Sequence, residues 1–200
     1  MDTLRLKDIK PLSEYEPIRK EFRERIIALK KRRRVPLGDR MTLVFENRDT
    51  ILFQIQEMMR VEHIYDPVKI QDELNSYNPL IAGPGELSAT LFIEITESER
   101  IKEILDGLQG IDDGRSIFIE LGPDRIYGEF EAGHSKEDKL SAVHYVRFRL
   151  TPEQRDGFPG NATPAALVAD HPNYRARTPL NTEMRQELSE DFTTPKTVKN

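Results

Sequence analysis

An α+β fold, a mostly antiparallel sheet of about five strands with the N-terminal helices packed on one face, is predicted from three observations. Apolar residues recur at helical spacing through the first part of the chain, they alternate with polar ones at strand spacing in the later part, and several strands follow one another without a helix between them. A continuous alternation of helix and strand would instead have indicated a parallel sheet.

The first helix is marked by Ser13 and Glu16, a spacing in which each side chain can satisfy the other residue's free backbone N–H, and Pro17 suits an early helical turn. Ile18, Phe22, Ile26 and Leu29 form its apolar stripe, and Val35-Pro36 ends it, because proline disfavours helix in the residue before it. A turn at Gly38-Asp39 leads to a strand over 41–46. Asp49 or Thr50 then caps a second helix with Ile51, Leu52, Ile55, Met58 and Met59 inward. Asp66-Pro67 opens a third helix that breaks near Tyr77-Asn78-Pro79.

Beyond the loop at 82–85 the expected order is a strand over 87–95, a helix over 98–108 and strands over 116–121, 125–130 and 142–150. Thr151-Pro152-Glu153 starts a short helix or turn. From about residue 175 Thr, Pro, Asn and charged residues predominate, with a weak amphipathic patch at 184–188, so the expected organisation is one globular domain over 1–175 and a mobile tail over 176–200.

Composition narrows the chemistry. The 200 residues include no cysteine, which excludes disulfides, thiolate nucleophiles and cysteine-held iron–sulfur or zinc sites. With four histidines, His63, His134, His144 and His171, a metal site would need carboxylates as well. No apolar run approaches the roughly 20 residues of a membrane span. The start of the chain also lacks the apolar centre of a signal peptide, so a cytoplasmic location is expected. Nucleotide-binding glycine loops, the Gly-x-Ser-x-Gly elbow and the His-Glu-x-x-His zinc motif are missing from the sequence.

The net charge of −5 hides an asymmetry: residues 18–34 hold nine Lys or Arg against two Glu. Within that segment, Lys30, Lys31, Arg32, Arg33 and Arg34 would attract a polyanion such as nucleic acid, although cations also belong at a helix C-terminus. The acidic remainder and the absence of a nucleic-acid-binding motif weigh against that partner. Arg33 continues the Phe22, Ile26, Leu29 stripe, so if it points inward it needs a carboxylate, with Asp39 or Glu46 near in sequence.

Polar residues crowd the junction Phe45-Glu46-Asn47-Arg48-Asp49-Thr50, where a strand end meets a helix start and a ligand can be held, or where a turn and helix cap suffice. The next helix carries Gln54, Glu57 and Arg60, which make either a contact surface or an ion pair at i,i+3. In the last predicted strand His144 shares the core face with Val146, Phe148 and Leu150, which favours a hydrogen-bonded structural imidazole. Asp170 and His171, joined by His144 or Glu62, make the best carboxylate–histidine metal set, against a turn around Pro172 as the plainer reading. Glu131 and His134 have a di-iron spacing, but Gly133 and a loop composition deny it the necessary helix.

Taken together, Glu14-Tyr15-Glu16, Ile27-Ala28-Leu29, Phe45-Glu46-Asn47-Arg48-Asp49-Thr50, Gln54-Ile55-Gln56-Glu57-Met58, Tyr77-Asn78-Pro79-Leu80-Ile81, Ser141-Ala142-Val143-His144-Tyr145 and Asp170-His171-Pro172 resemble a bacterial domain-of-unknown-function family. The resemblance runs from about residue 3 to about residue 175. It implies a redox setting, because such proteins are often encoded beside a rubrerythrin-like di-iron protein and a cysteine-rich iron–sulfur protein similar to the anaerobic glycerol-3-phosphate dehydrogenase C subunit.

The leading expectation is therefore a non-catalytic adaptor that docks onto such a partner through Arg32, Arg33 and Arg34 and through the polar helix bearing Gln54, Glu57 and Arg60. The first alternative is a small metal- or ligand-binding enzyme using His144, His171, Asp170 and Glu46. Nucleic-acid binding through the basic helix end is the second.

Overall fold

The computed structural model describes residues 3–131 and 140–192. A long helix, α1 (Leu12–Arg32), leads directly into strand β1 (Arg34–Leu37), and the turn at Gly38 returns the chain as β2 (Met41–Glu46). Helices α2 (Arg48–Val61) and α3 (Pro67–Tyr77) precede β3 (Glu86–Ile93). The short α4 (Ile101–Gly107) is followed by β4 (Ile117–Leu121), β5 (Asp124–Phe130) and β6 (Val143–Arg149). After α5 (Pro152–Gly157) come β7 (Ala165–His171), β8 (Tyr174–Pro179) and α6 (Thr182–Ser189).

The eight strands form one sheet in the order β1-β2-β3-β6-β5-β4-β7-β8, with every pairing antiparallel. The two edge strands approach each other, so the sheet is a nearly closed barrel. This corrects the expected five-strand sheet. The three unpredicted strands have physical disguises: β1 contains Pro36, which is tolerated on an edge, β7 is rich in alanine, and β8 alternates with exposed arginines.

Alternation sorts each strand into an inward apolar face and an outward face. Phe45, Leu91, Phe148, Ile119 and Leu167 are among the inward residues, all fully buried. Phe158, Leu180 and Leu188 belong to the same core near the ends of β2 and β6, as do Leu105, Leu108 and Ile111 near their starts. A second core lies outside the barrel, where Ile51, Ile55 and Met59 of α2 meet Leu74 of α3, Leu80 and the N-terminal Leu4 and Ile9.

Capping follows the local chemistry. Asp66 accepts a hydrogen bond from the Val68 amide at the start of α3, with Pro67 in the first turn. Helix α1 starts one residue before Ser13, at Leu12, so Ser13 lies inside the helix rather than capping it.

Over residues 176–192 the chain forms regular structure rather than the tail expected from 176, and the remainder of that expected tail, 193–200, lies outside the described residues. Residues 174–179 pair with β7, and α6 buries Arg185 and Leu188 before a last 3₁₀ turn over Glu190–Phe192. Two inward anchors on a short helix are too few to raise the amphipathic signal of a charged segment.

Side chains hold the barrel's seam together. The Tyr174 hydroxyl of β8 donates to the Leu37 carbonyl of β1 at 2.7 Å and accepts from the Arg40 amide at 3.0 Å, while Thr178 donates to the Pro36 carbonyl. Gly38 makes this possible: its φ is +73°, and a Cβ there would stand 2.3 Å from the Tyr174 hydroxyl. Gly38→Ala should therefore cost about 1–3 kcal/mol in a urea unfolding titration. An unchanged midpoint would contradict this account of the seam.

Candidate functional site

Many of the polar residues singled out by sequence form braces between elements. Asn47 and Thr50 cap α2 reciprocally, the Asn47 Oδ1 accepting from the Thr50 amide at 3.0 Å and the Thr50 Oγ1 accepting from the Asn47 amide at 2.9 Å. Arg48 pairs with Asp8 at 3.1 Å. Glu57 faces α1, accepting from the Tyr15 hydroxyl and from two nitrogens of Arg19, each at 2.8 Å. The hydrogen bonds from Arg19 hold the Glu57 carboxyl below its usual range, whereas burial, and then the Glu57 carboxylate, push the Tyr15 phenol up. Arg60 pairs with Glu16 at 2.9 Å, and Gln54 is exposed.

The basic helix end is largely neutralised within the molecule. Lys30 is 3.5 Å from Glu46, Arg32 is 2.9 Å from Glu187, and Arg34 is 2.9 Å from Glu94. Arg33 does point inward, as its place in the stripe required, and is fully buried. Its guanidinium donates to the carbonyls of Phe45 and Glu46 and pairs with Glu187 and Asp191. The carboxylates thus come from α6 and the last 3₁₀ turn rather than from Asp39 or the Glu46 side chain. Burial pushes the Asp191 carboxyl up to about 6 despite the adjacent Arg33.

His144 and His171 are buried. The Nε2 of His144 donates to the Ser141 carbonyl at 2.7 Å, and its Nδ1 is 3.6 Å from Asp112. In His171, Nε2 donates to the Gln109 carbonyl at 3.0 Å and Nδ1 accepts from the Asn173 amide at 3.2 Å. Asp170 points to the opposite side of β7 and pairs with Arg175 at 3.2 Å. Among the described residues no group of three or more His, Asp or Glu is placed to hold a metal ion, so these three are not brought together. His134 lies outside the described residues.

Two further surfaces stand out among the described residues. On the outward face of the sheet, Glu46, Ser88, Arg147 and Glu129 are successive cross-strand partners on β2, β3, β6 and β5. A groove of about 280 Å³ lies over this row, lined by Ser88, Tyr145, Arg147, Glu129, Pro79 and Leu80 among others. Burial, followed by the nearby Tyr77, Glu131 and Glu46, pushes the Tyr145 phenol up. The second surface is a corner of the helical layer, where exposed Leu6, Val61 and Tyr65 border two adjoining hollows that share Leu12 and Tyr65.

The family model described as "Protein of unknown function (DUF3501)" matches residues 3–192. The chain belongs to the DUF3501 family. It is also similar to a protein of unknown function from Burkholderia pseudomallei K96243, known from a crystal structure, with 31% identity and a TM-score of 0.87 over 96% of this chain and 100% of that one. No curated protein matches the chain. The family match extends through residue 192, past the 175 reached by the sequence resemblance and across α6 with Glu187 and Asp191.

Sequence reasoning overlooked two features of this DUF3501 chain. Ser88 and Thr90 alternate with Leu87, Ala89 and Leu91, a signal that one face of β3 is polar, yet both faces are buried. The carboxylates that meet Arg33 lie more than 150 residues away, beyond any local pattern.

The raised Asp191 carboxyl has a definite pH consequence. Its folded-state value of about 6 exceeds the ordinary 3.8, so its contribution to stability is complete below pH 3.8 and is lost as pH rises through 6. Relative to wild type, Asp191→Asn should gain about 3 kcal/mol between acidic and neutral pH in paired urea titrations. A difference that stays flat with pH would contradict this assignment.

Proposed function

We propose that this protein is a non-catalytic accessory protein that binds a redox partner through the apolar corner of its helical layer. The supporting observation is the grouping of Leu6, Val61 and Tyr65, 43%, 65% and 66% exposed, around adjoining hollows, with Val68, 67% exposed, three residues beyond Tyr65 in the chain. Large apolar side chains clustered at a surface mark interaction sites, whereas isolated ones do not. The redox nature of the partner rests on the family resemblance. Docking through Arg32, Arg33 and Arg34 has less support, since all three arginines are engaged by carboxylates of the same chain.

The test is calorimetric binding to the purified rubrerythrin-like and cysteine-rich iron–sulfur proteins of the same organism. Combined Val61→Ser, Tyr65→Ser and Val68→Ser substitution, on side chains already exposed, should leave the fold intact and weaken binding by about 10–100-fold. Charge reversal at Arg32 and Arg34 should leave the affinity nearly unchanged. Undiminished binding by the triple variant would overturn the surface, and no binding of either protein by wild type would overturn the redox adaptor.

A further inference from the structure

The outward sides of β2 and β3 are buried at Glu46, Ser88 and Thr90, whereas the outward face shared by β5, β4, β7 and β8 lies open: Tyr127 is 44% exposed, and Arg125, Arg175 and Arg177 are exposed. Cross-strand register orders this open face into rows. The middle row is Tyr127, Phe118, Val168 and Arg177, one residue from each strand in turn. Arg125 and Glu120 are partners on one side of it, and Asp170 and Arg175 are partners on the other, where Glu129 also stands on β5.

The two ends of the middle row have different shapes. On β5, the Tyr127 ring lies 5.4 Å from that of Phe118, whose other cover is the Arg125 guanidinium at 4.9 Å. Phe118 is thereby only 3% exposed, and Tyr127 is the ring left at the surface. On β7 and β8, Val168, Asp170, Arg175 and Arg177 line a shallow hollow of about 350 Å³. Ring and hollow are separated by up to three strand spacings, roughly 14 Å. Arg177 is held at 2.9 Å by Glu120, and a guanidinium paired in this way still offers its flat face to an aromatic ring.

The residue types also suit a protein contact. Arginine and aromatic residues are enriched at interfaces and lysine is depleted, and these four strands contain no lysine. Outward Arg125, Arg175 and Arg177 are matched by Glu120, Glu129 and Asp170, so the face has no net charge to attract a strongly acidic or basic partner.

We propose that two copies of this chain pair through this face, about a twofold axis running along the strands between β4 and β7. Such an axis lays β5 of each copy over β8 of the other. Tyr127 then enters the partner's hollow beside the partner's Arg177, Glu129 meets the partner's Arg175, and the symmetry makes each contact twice. Four strands present fewer outward residues than the roughly 20–30 of a standard interface, so a dissociation constant of about 10–100 μM is expected. The face shares no residue with the apolar corner, and the pairing does not depend on the adaptor function.

The test is sedimentation equilibrium of the full chain between about 5 and 500 μM, a range that brackets this affinity. The mass should rise from monomer to dimer. Tyr127→Ser and Arg175→Glu, both on exposed side chains, should each weaken pairing by at least about tenfold, while Tyr65→Ser at the apolar corner should leave it unchanged. Because the chain has no cysteine, single cysteines report the geometry directly. An oxidised mixture of Tyr127→Cys and Arg177→Cys chains should form a mixed disulfide faster than either variant links to itself, since only that pair approaches within the roughly 7 Å between Cα atoms that a disulfide spans. A monomer mass across the whole range, undiminished pairing by Tyr127→Ser, loss of pairing with Tyr65→Ser, or preferential self-linking of either cysteine variant would overturn the proposal.

Discussion

The guanidinium of Arg33 holds together parts of the chain that are otherwise far apart. It stands where α1 passes into β1, reaches the carbonyls at the end of β2, and takes its counter-charges from Glu187 and Asp191. A fully buried arginine requires such a complete set of acceptors, because removing the charge from water costs several kcal/mol and leaving it unpaired costs more. The elements around it are thereby tied to a single arrangement. The end of α1 is turned toward the barrel, and α6 is drawn against the end where Phe158 and Leu188 join the core. A second buried arginine works from the other side: Arg185 of α6 donates to the carbonyls of Phe158, Thr163 and Gly157, so the helix is attached in two directions.

This anchoring separates the structural polar groups from those left for binding. Tyr15, Arg19 and Glu57 clamp α1 onto α2, and Gln56 grips the backbone of Lys10 through both ends of its amide. His171 and Asn47 are likewise occupied by nearby backbone groups. The exposed apolar corner at Val61 and Tyr65 lies apart from the polar groove over the outward faces of β3, β5 and β6.

Local chemistry was legible in the sequence, and distant pairing was not. Helical periodicity located α1, α2 and α3, and alternation along 142–150 assigned His144, Val146 and Phe148 to the core face. The inward direction of Arg33 could also be read from its place in the stripe. Its partners could not, because they sit in a segment whose charge resembles that of a tail. The same difficulty concealed the barrel: β8 has too little apolar content to declare itself, and Pro36 argues against β1, so the two strands that make the seam carried the weakest signals. In the candidate sites, Glu46 was legible as a polar residue at a strand end, but its buried, half-satisfied carboxylate depends on helices that cover the outward face.

Native-state hydrogen exchange on Arg33→Lys tests the role of this residue most directly. Lysine keeps the charge but lacks the planar fork that serves two carbonyls and two carboxylates at once. Amide protection should fall across residues 182–192 while β3 and β6 keep theirs, showing that the C-terminal segment is fastened through the guanidinium. Protection of 182–192 equal to that of the wild type would contradict the account.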